Sequence, residues 1–360
     1  MSYFAPDYAV APGETIQEWL DENSMTQAEL ADRIDLSKKT LNQIIKGIAP
    51  LSQDTALKLE AVTRIPARTW NALESQYRGD LARNDARAAL ERQLDFLDEL
   101  PLPALRKSGV ITSSARSPEV LQEVYSFFGV ANTEAWRRLW ESPAAAFRQS
   151  TAFAAKPGAV AAWLRLGELA SKTVESKPFN KELLRQNIPA IRALATKSDP
   201  SEFLPQLEQL TRDAGVVVLF VPDVQGTRCS GATRWIDDRP VIQLSLRHKS
   251  DDQLWFTLLH EIAHVLLHGK RDAFITGDYA SEELQHKESE ANEFAADTLI
   301  PKRYQPELPL LVSLQQARDF AAKIETSPGV VVGRLQHTKI WAYSKGNGLK
   351  VKYEFAPAAD

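Results

Sequence analysis

The sequence predicts a mainly α-helical chain with a small β-sheet, an α+β arrangement. Three observations carry that expectation. Apolar residues recur at helical spacing through most of the 360 residues, often in segments opened by Ser or Thr and closed by Gly. Apolar, β-branched runs of strand length stand out at 215–222 and 240–246. Pro-containing breaks at 101–103, 143, 157 and 200 cut the long middle of the chain into helix-sized pieces.

Taken in order, residues 15–75 alternate short amphipathic helices with tight turns. The first, 15–23, turns Ile16, Trp19 and Leu20 inward. Thr26-Gln27-Ala28-Glu29 opens the second as a capping box, with Leu30, Ala31 and Ile34 inside. A short turn at Asp35-Leu36-Ser37 leads to a third helix capped by Ser37, with Leu41, Ile44 and Ile45 inward and Gly47 as its stop. A long helical region follows, with helical periodicity at 80–98 and again at 152–172. Strands are expected at 215–222, within 228–235 and at 240–246, just ahead of a buried helix at 255–267. Further helices are expected at 281–301 and 314–324, with a terminal strand at 349–355. The expected domains are 1–76, 77–212 and 213–360.

Composition narrows the classes. A hydrophobic fraction of 44% with 25% charged residues is that of a soluble globular protein, and no apolar run approaches membrane-spanning length. The N-terminal stretch has no basic-then-apolar signal pattern. One cysteine, Cys229, excludes an internal disulfide and a cysteine zinc cluster, and fits a cytoplasmic location. The net charge of −4 gives no support to a wholesale nucleic-acid coat but leaves room for a local basic element.

Such an element lies on the third helix. Two short helices joined by a tight turn form a helix-turn-helix, whose second helix can enter a major groove. Lys38, Lys39 and Lys46 carry charge suited to phosphates, and Asn42 and Gln43 carry amides suited to base edges. Ser37 and Thr40 belong to the same face, and Gln27 at the head of the second helix can hydrogen-bond a phosphate. The competing reading is a plain helical bundle with a solvated polar face. The DNA reading implies double-stranded operator DNA as partner and a homodimer reading paired half-sites.

The most informative stretch is WFTLLHEIAHVLLHG at 255–269. On a helix, His260 and His264 lie one turn apart on one face, so both imidazoles can reach one metal. Glu261 is placed to take a proton from a metal-bound water. Leu258, Leu259, Ile262, Leu266 and Leu267 make this a buried helix that Gly269 stops. With six histidines in the chain, an accidental H-E-x-x-H is rare. The bland alternative is a pair of hydrogen-bonded core histidines. His268 continues the face as a ligand, a partner behind a ligand, or a rim residue. For a third ligand, Ser281 can cap a helix with Leu284, Ala291, Phe294, Ala295 and Leu299 on its apolar face. At roughly 100° per residue, Glu288 falls inside that arc and Asn292 on its flank, while Glu290, Glu293 and Asp297 fall opposite. A carboxylate on a core-facing stripe is costly unless paired or bound to metal, so Glu288 is preferred over Glu290 as ligand. Two His and one Glu leave a fourth zinc position open, the catalytic arrangement. Arg334 and His337 are candidates for stabilising an oxyanion, or else anchor a helix, and Ser230–Thr233 is the candidate substrate-holding edge.

These motifs resemble known families. TQAELADRIDLSKKTLNQIIKG is similar to the Cro/repressor-type helix-turn-helix of HigA-type antitoxins. HEIAHVLLH with ESEANEFAADTLIP resembles the ImmA/IrrE zinc metallopeptidases. FRQS at 147–150, AWLRLGE at 162–168, GATRWIDDRPVIQLSLR at 231–247 and PGVVVGRLQH at 328–337 extend the resemblance to regulators that join both modules. It implies Zn(2+) held by His260, His264 and Glu288, the last from an E-x-x-x-N pattern, with Glu261 as general base. It also implies a protein substrate, a repressor or toxin-like partner, in a toxin–antitoxin or stress-response setting. The alternative is an antitoxin whose metallopeptidase-like domain is a non-catalytic scaffold or sensor.

Overall fold

The computed structural model describes residues 9–141, 156–269 and 282–355, with side chains in the last segment described from residue 285. The expected Ser281 cap, the FRQS segment and the break at 143 lie outside the described residues, as does the side chain of Leu284. Two compact units are present, Met1–Leu94 and Asp95–Asp360.

The first unit is built from α1 (Pro12–Glu22), α2 (Gln27–Arg33), α3 (Lys38–Ile45), α4 (Gln53–Thr63) and α5 (Ala67–Glu91). The capping box at Thr26 forms, with the Thr26 hydroxyl accepting from Glu29 N–H and Glu29 Oε2 accepting from Thr26 N–H. Ser37 Oγ accepts from Thr40 N–H at 3.0 Å and starts α3. Asp35 (φ 52) makes the turn between α2 and α3. Gly47 (φ +68) ends α3, where a Cβ would lie 2.2 Å from the Tyr77 hydroxyl oxygen. Ile16, Leu20, Leu30, Ile34, Leu41, Leu59 and Trp70 close one core. Trp19 and Ile45, expected inside, pack half-buried against it.

The second unit begins with helices α6 (Leu102–Lys107), α7 (Pro118–Phe128), α8 (Thr133–Trp136), α9 (Pro157–Ser171), α10 (Lys181–Ala193) and α11 (Pro200–Asp213). Proline occupies the first turn of α7, α9 and α11, where its missing N–H costs nothing. Strands β1 (Val217–Phe220), β2 (Gly231–Ile236) and β3 (Arg239–Leu244) form a sheet in the order β1-β3-β2. β1 runs parallel to β3, and β2 runs antiparallel to it, with Thr233 opposite Ile242 and Gly231 opposite Leu244. β2 is therefore an edge strand of this sheet. Helices α12 (Asp251–Leu267), α13 (Glu282–Leu299), α14 (Leu314–Lys323) and α15 (Pro328–His337) complete the unit. α12 is the central element: it packs on β2, β3, α13 and α15. Leu258, Leu259, Ile262 and Ala263 are fully buried on it, and Trp255 meets Phe203 of α11 at 5.2 Å between rings.

In the second unit two expectations change. Leu267, expected inside, is 45% exposed, because α12 ends there and turns that side outward. The terminal strand does not form. Asn347–Leu349 is a 3-10 turn, and the following segment makes a single bridge, Ser250 to Lys352. The head of α12 takes that backbone instead: Asp251 N–H donates to the Val351 carbonyl at 2.9 Å, and Val351 N–H donates to Asp251 Oδ1 at 3.1 Å. Among the described residues no helix is long and apolar enough to cross a membrane.

Candidate metal centre and helix-turn-helix face

Helical spacing brings His260 and His264 together on α12, and α13 lays Glu288 across them. The two Nε2 atoms are 3.0 Å apart. Glu288 Oε2 is 3.3 Å from His260 Nε2, and Glu288 Oε1 is 3.5 Å from His264 Nε2. Donors about 2.0–2.1 Å from a tetrahedral zinc lie about 3.3–3.4 Å from one another, so the separations and the two-imidazole, one-carboxylate chemistry fit that ion. No other convergence of His, Cys, Asp and Glu of this kind occurs among the described residues. Burial, followed by the charge of His260, holds the His264 ring down to about 4, so this imidazole is neutral at physiological pH with a lone pair to give.

Glu261 is buried against the edge strand. Thr233 Oγ1 donates to Glu261 Oε2 at 2.7 Å and lies 3.2 Å from the Glu261 carbonyl. Burial pushes the carboxyl up to about 7; the His260 charge and the Thr233 hydrogen bond pull against that shift, and Glu288 adds to it. Gly231 permits this close approach, because a Cβ there would sit 2.6 Å from both Glu261 Oε1 and Thr257 Cγ2. Sequence reasoning reaches Thr233 only as part of an edge; its alternation along β2 is the signal that it faces the helix.

Around the donor trio, Asn292 Oδ1 lies 3.0 Å from His260 Nδ1. His268 Nδ1 lies 2.9 Å from His264 Nδ1, and His268 Nε2 lies 3.3 Å from Glu290 Oε2. Glu290 thus reaches the rim of the site without joining the trio, and Glu293 and Asp297 pair with Lys302. His337 is exposed at the end of α15. With Arg334 it lines a cavity of about 670 Å³ whose wall also includes Phe256, one turn before His260, and Asn292, one turn after Glu288.

On the first unit, Ser37, Lys38, Lys39 and Lys46 are exposed, and Gln27, Thr40, Asn42 and Gln43 are half-buried. Gln17, Gln27 and Asn42 form a chain of amides: Gln27 Nε2 donates to Gln17 Oε1 at 2.9 Å, and Asn42 Nδ2 donates to Gln27 Oε1 at 3.2 Å. α2 and α3 thereby hold their polar side chains in a fixed relation.

Residues 212–336 match the metallopeptidase family M78 domain described as IrrE N-terminal-like, and residues 16–70 match the helix-turn-helix family. The uncharacterised HTH-type transcriptional regulator YddM of Escherichia coli (strain K12) is 30% identical over 66 residues, which span 18% of this chain and 70% of that protein. No solved structure matches the chain. The chain thus carries a Cro/repressor-type helix-turn-helix at its N-terminus and an ImmA/IrrE-type domain at its C-terminus, joined in one polypeptide.

Proposed function

We propose that this protein is a cytoplasmic regulator that binds double-stranded operator DNA as a homodimer and uses zinc to hydrolyse a peptide bond in a regulatory protein. The observation that carries the reading is the trio His260, His264 and Glu288 at zinc-compatible separations, with Glu261 next in chain and tied to an edge strand. Zinc bound there would polarise the substrate carbonyl and make water a better nucleophile at neutral pH. Glu261 takes the proton from the attacking water and returns it to the leaving amine. Thr233 holds that carboxylate in place. The outer edge of β2, around Ser230–Thr233, binds the extended substrate through its main chain. From the cavity wall, His337 and Arg334 stabilise the developing oxyanion.

At the other end, Lys38, Lys39 and Lys46 meet phosphates, and Asn42 and Gln43 read base edges, with Gln27, Ser37 and Thr40 around them. The Asn42–Gln27 hydrogen bond supports this assignment, because it orients two amides on one face before DNA arrives. The substrate is a repressor or toxin-like partner, and the setting is a toxin–antitoxin or stress response.

Elemental analysis of the purified wild type, Glu288→Ala and Glu290→Ala tests the metal assignment. One zinc per chain, lost in Glu288→Ala and kept in Glu290→Ala, is the expected result. A wild type purified without chelator and free of zinc would overturn it and leave a scaffold antitoxin.

A further inference from the structure

Two groups beside the trio have no part in the reaction above: His268 and Glu290. His268 is the residue at which the backbone leaves α12 (φ −109, ψ 155), yet its N–H still donates to the His264 carbonyl at 3.2 Å. Its ring folds back over the helix end, and only 7% of the side chain is exposed. A buried imidazole in contact with another imidazole has to be ordered by something, since two N–H groups or two lone pairs facing each other at 2.9 Å repel.

The Nε2 atoms of His260 and His264 face Glu288 and each other, so a metal held there takes their Nε2 lone pairs. A neutral imidazole that gives up its Nε2 lone pair carries its proton on Nδ1. For His260 that N–H meets Asn292 Oδ1, an acceptor. For His264 it meets His268 Nδ1, which must then be the acceptor. The His268 proton consequently sits on Nε2, facing Glu290 Oε2 at 3.3 Å. A carboxylate accepts and does not donate, so Glu290 sets the direction of the whole row. Were Glu290 a ligand instead, its oxygens would lie among the trio; they lie against His268 and, at 3.6 Å, the exposed His286.

We propose that His268 and Glu290 are positioning residues that fix the ring and tautomer of His264 for metal binding, through the row Glu290–His268–His264. The proposal rests on the zinc reading above. It divides the work on α13 in two: Glu288 is the ligand, while Asn292 and Glu290 order the two imidazoles.

The test measures zinc affinity of the full-length protein by competition with a chromophoric chelator, together with the visible spectrum of the Co(2+)-substituted protein. The variants are His268→Leu, His268→Asn, Glu290→Gln and the His268→Leu/Glu290→Gln double. His268→Leu is expected to weaken zinc binding by about 10–100-fold, and Glu290→Gln by less. The double variant should bind no worse than His268→Leu alone, because the row is already cut. His268→Asn, whose side-chain carbonyl can accept from His264, should recover part of the loss. The Co(2+) spectrum should keep its shape throughout, since the ligands do not change. Glu290→Gln alters a rim residue and keeps the test informative should His268→Leu unfold, which circular dichroism would reveal. Zinc-loaded wild type with His268→Leu and Glu290→Gln each within roughly twofold of its affinity would overturn this proposal alone. A Co(2+) spectrum changed by Glu290→Gln would overturn it too, by making Glu290 a ligand. A wild type that binds no zinc would remove the zinc reading and this proposal together.

Discussion

Thr233 on the edge strand donates a 2.7 Å hydrogen bond to Oε2 of Glu261 on the central helix. That interaction joins β2, the proposed peptide-binding edge, to the proposed general base across 28 residues of sequence, so that in the proposed reaction substrate position and proton transfer belong to one unit.

Glu261→Gln removes the proposed base and leaves the trio intact. Zinc content should match wild type, while cleavage of the protein substrate falls by at least about 100-fold, the lower range for a lost general base. Metal analysis and a cleavage time course on the same sample check it; full activity in the variant would show that another group takes the proton.

Thr233→Val keeps the shape of the side chain and removes the hydroxyl. The buried carboxylate then loses a donor, so the second unit should lose about 1–3 kcal/mol of stability. Urea unfolding reports the loss, and an unchanged midpoint would show that another group or water takes the place of the hydroxyl.

Gly231→Ala places a methyl group 2.6 Å from where Glu261 Oε1 and Thr257 Cγ2 now sit, so β2 must move off the helix. Cleavage should drop with zinc retained, since no ligand is touched. A variant that cleaves at the wild-type rate would detach the edge strand from catalysis.

Charge reversal of Lys38 and Lys39, both exposed at the head of α3, should weaken operator binding. The slope of log affinity against log salt should shrink by about 0.9 for each phosphate left without its lysine. Titrations at several salt concentrations measure it, and unaltered binding would move the DNA-facing surface elsewhere.

Ser37→Ala deletes the cap on the Thr40 amide. The first unit should lose about 1 kcal/mol. Comparing denaturation with DNA affinity separates its two assignments: destabilisation with unchanged affinity leaves Ser37 a cap and nothing more.

Much of the layout of the candidate site was legible in the sequence because it is local. The one-turn spacing of His260 and His264, the Thr26 and Ser37 caps, and the Gly47 stop all depend on residues within about one turn of each other. Glu288 was separable from Glu290 by periodicity alone, and the tertiary structure places Glu288 in the trio and Glu290 at its rim. The helical character of the chain and its small sheet were equally local matters of pattern.

What only the tertiary structure decided is which of these pieces meet. The order β1-β3-β2, which puts β2 at an edge, depends on long-range pairing that the strands' own composition does not encode. The pairings of Thr233 with Glu261, Asn292 with His260, and Glu290 with His268 each span more than twenty residues. The C-terminal segment reads as a strand by composition, yet it pairs with the head of α12, because Asp251 offers its backbone and carboxylate there. Side-chain type and period determine an element and its buried face. Partners across the fold are chosen by how those faces pack, and that choice resides in the whole chain at once.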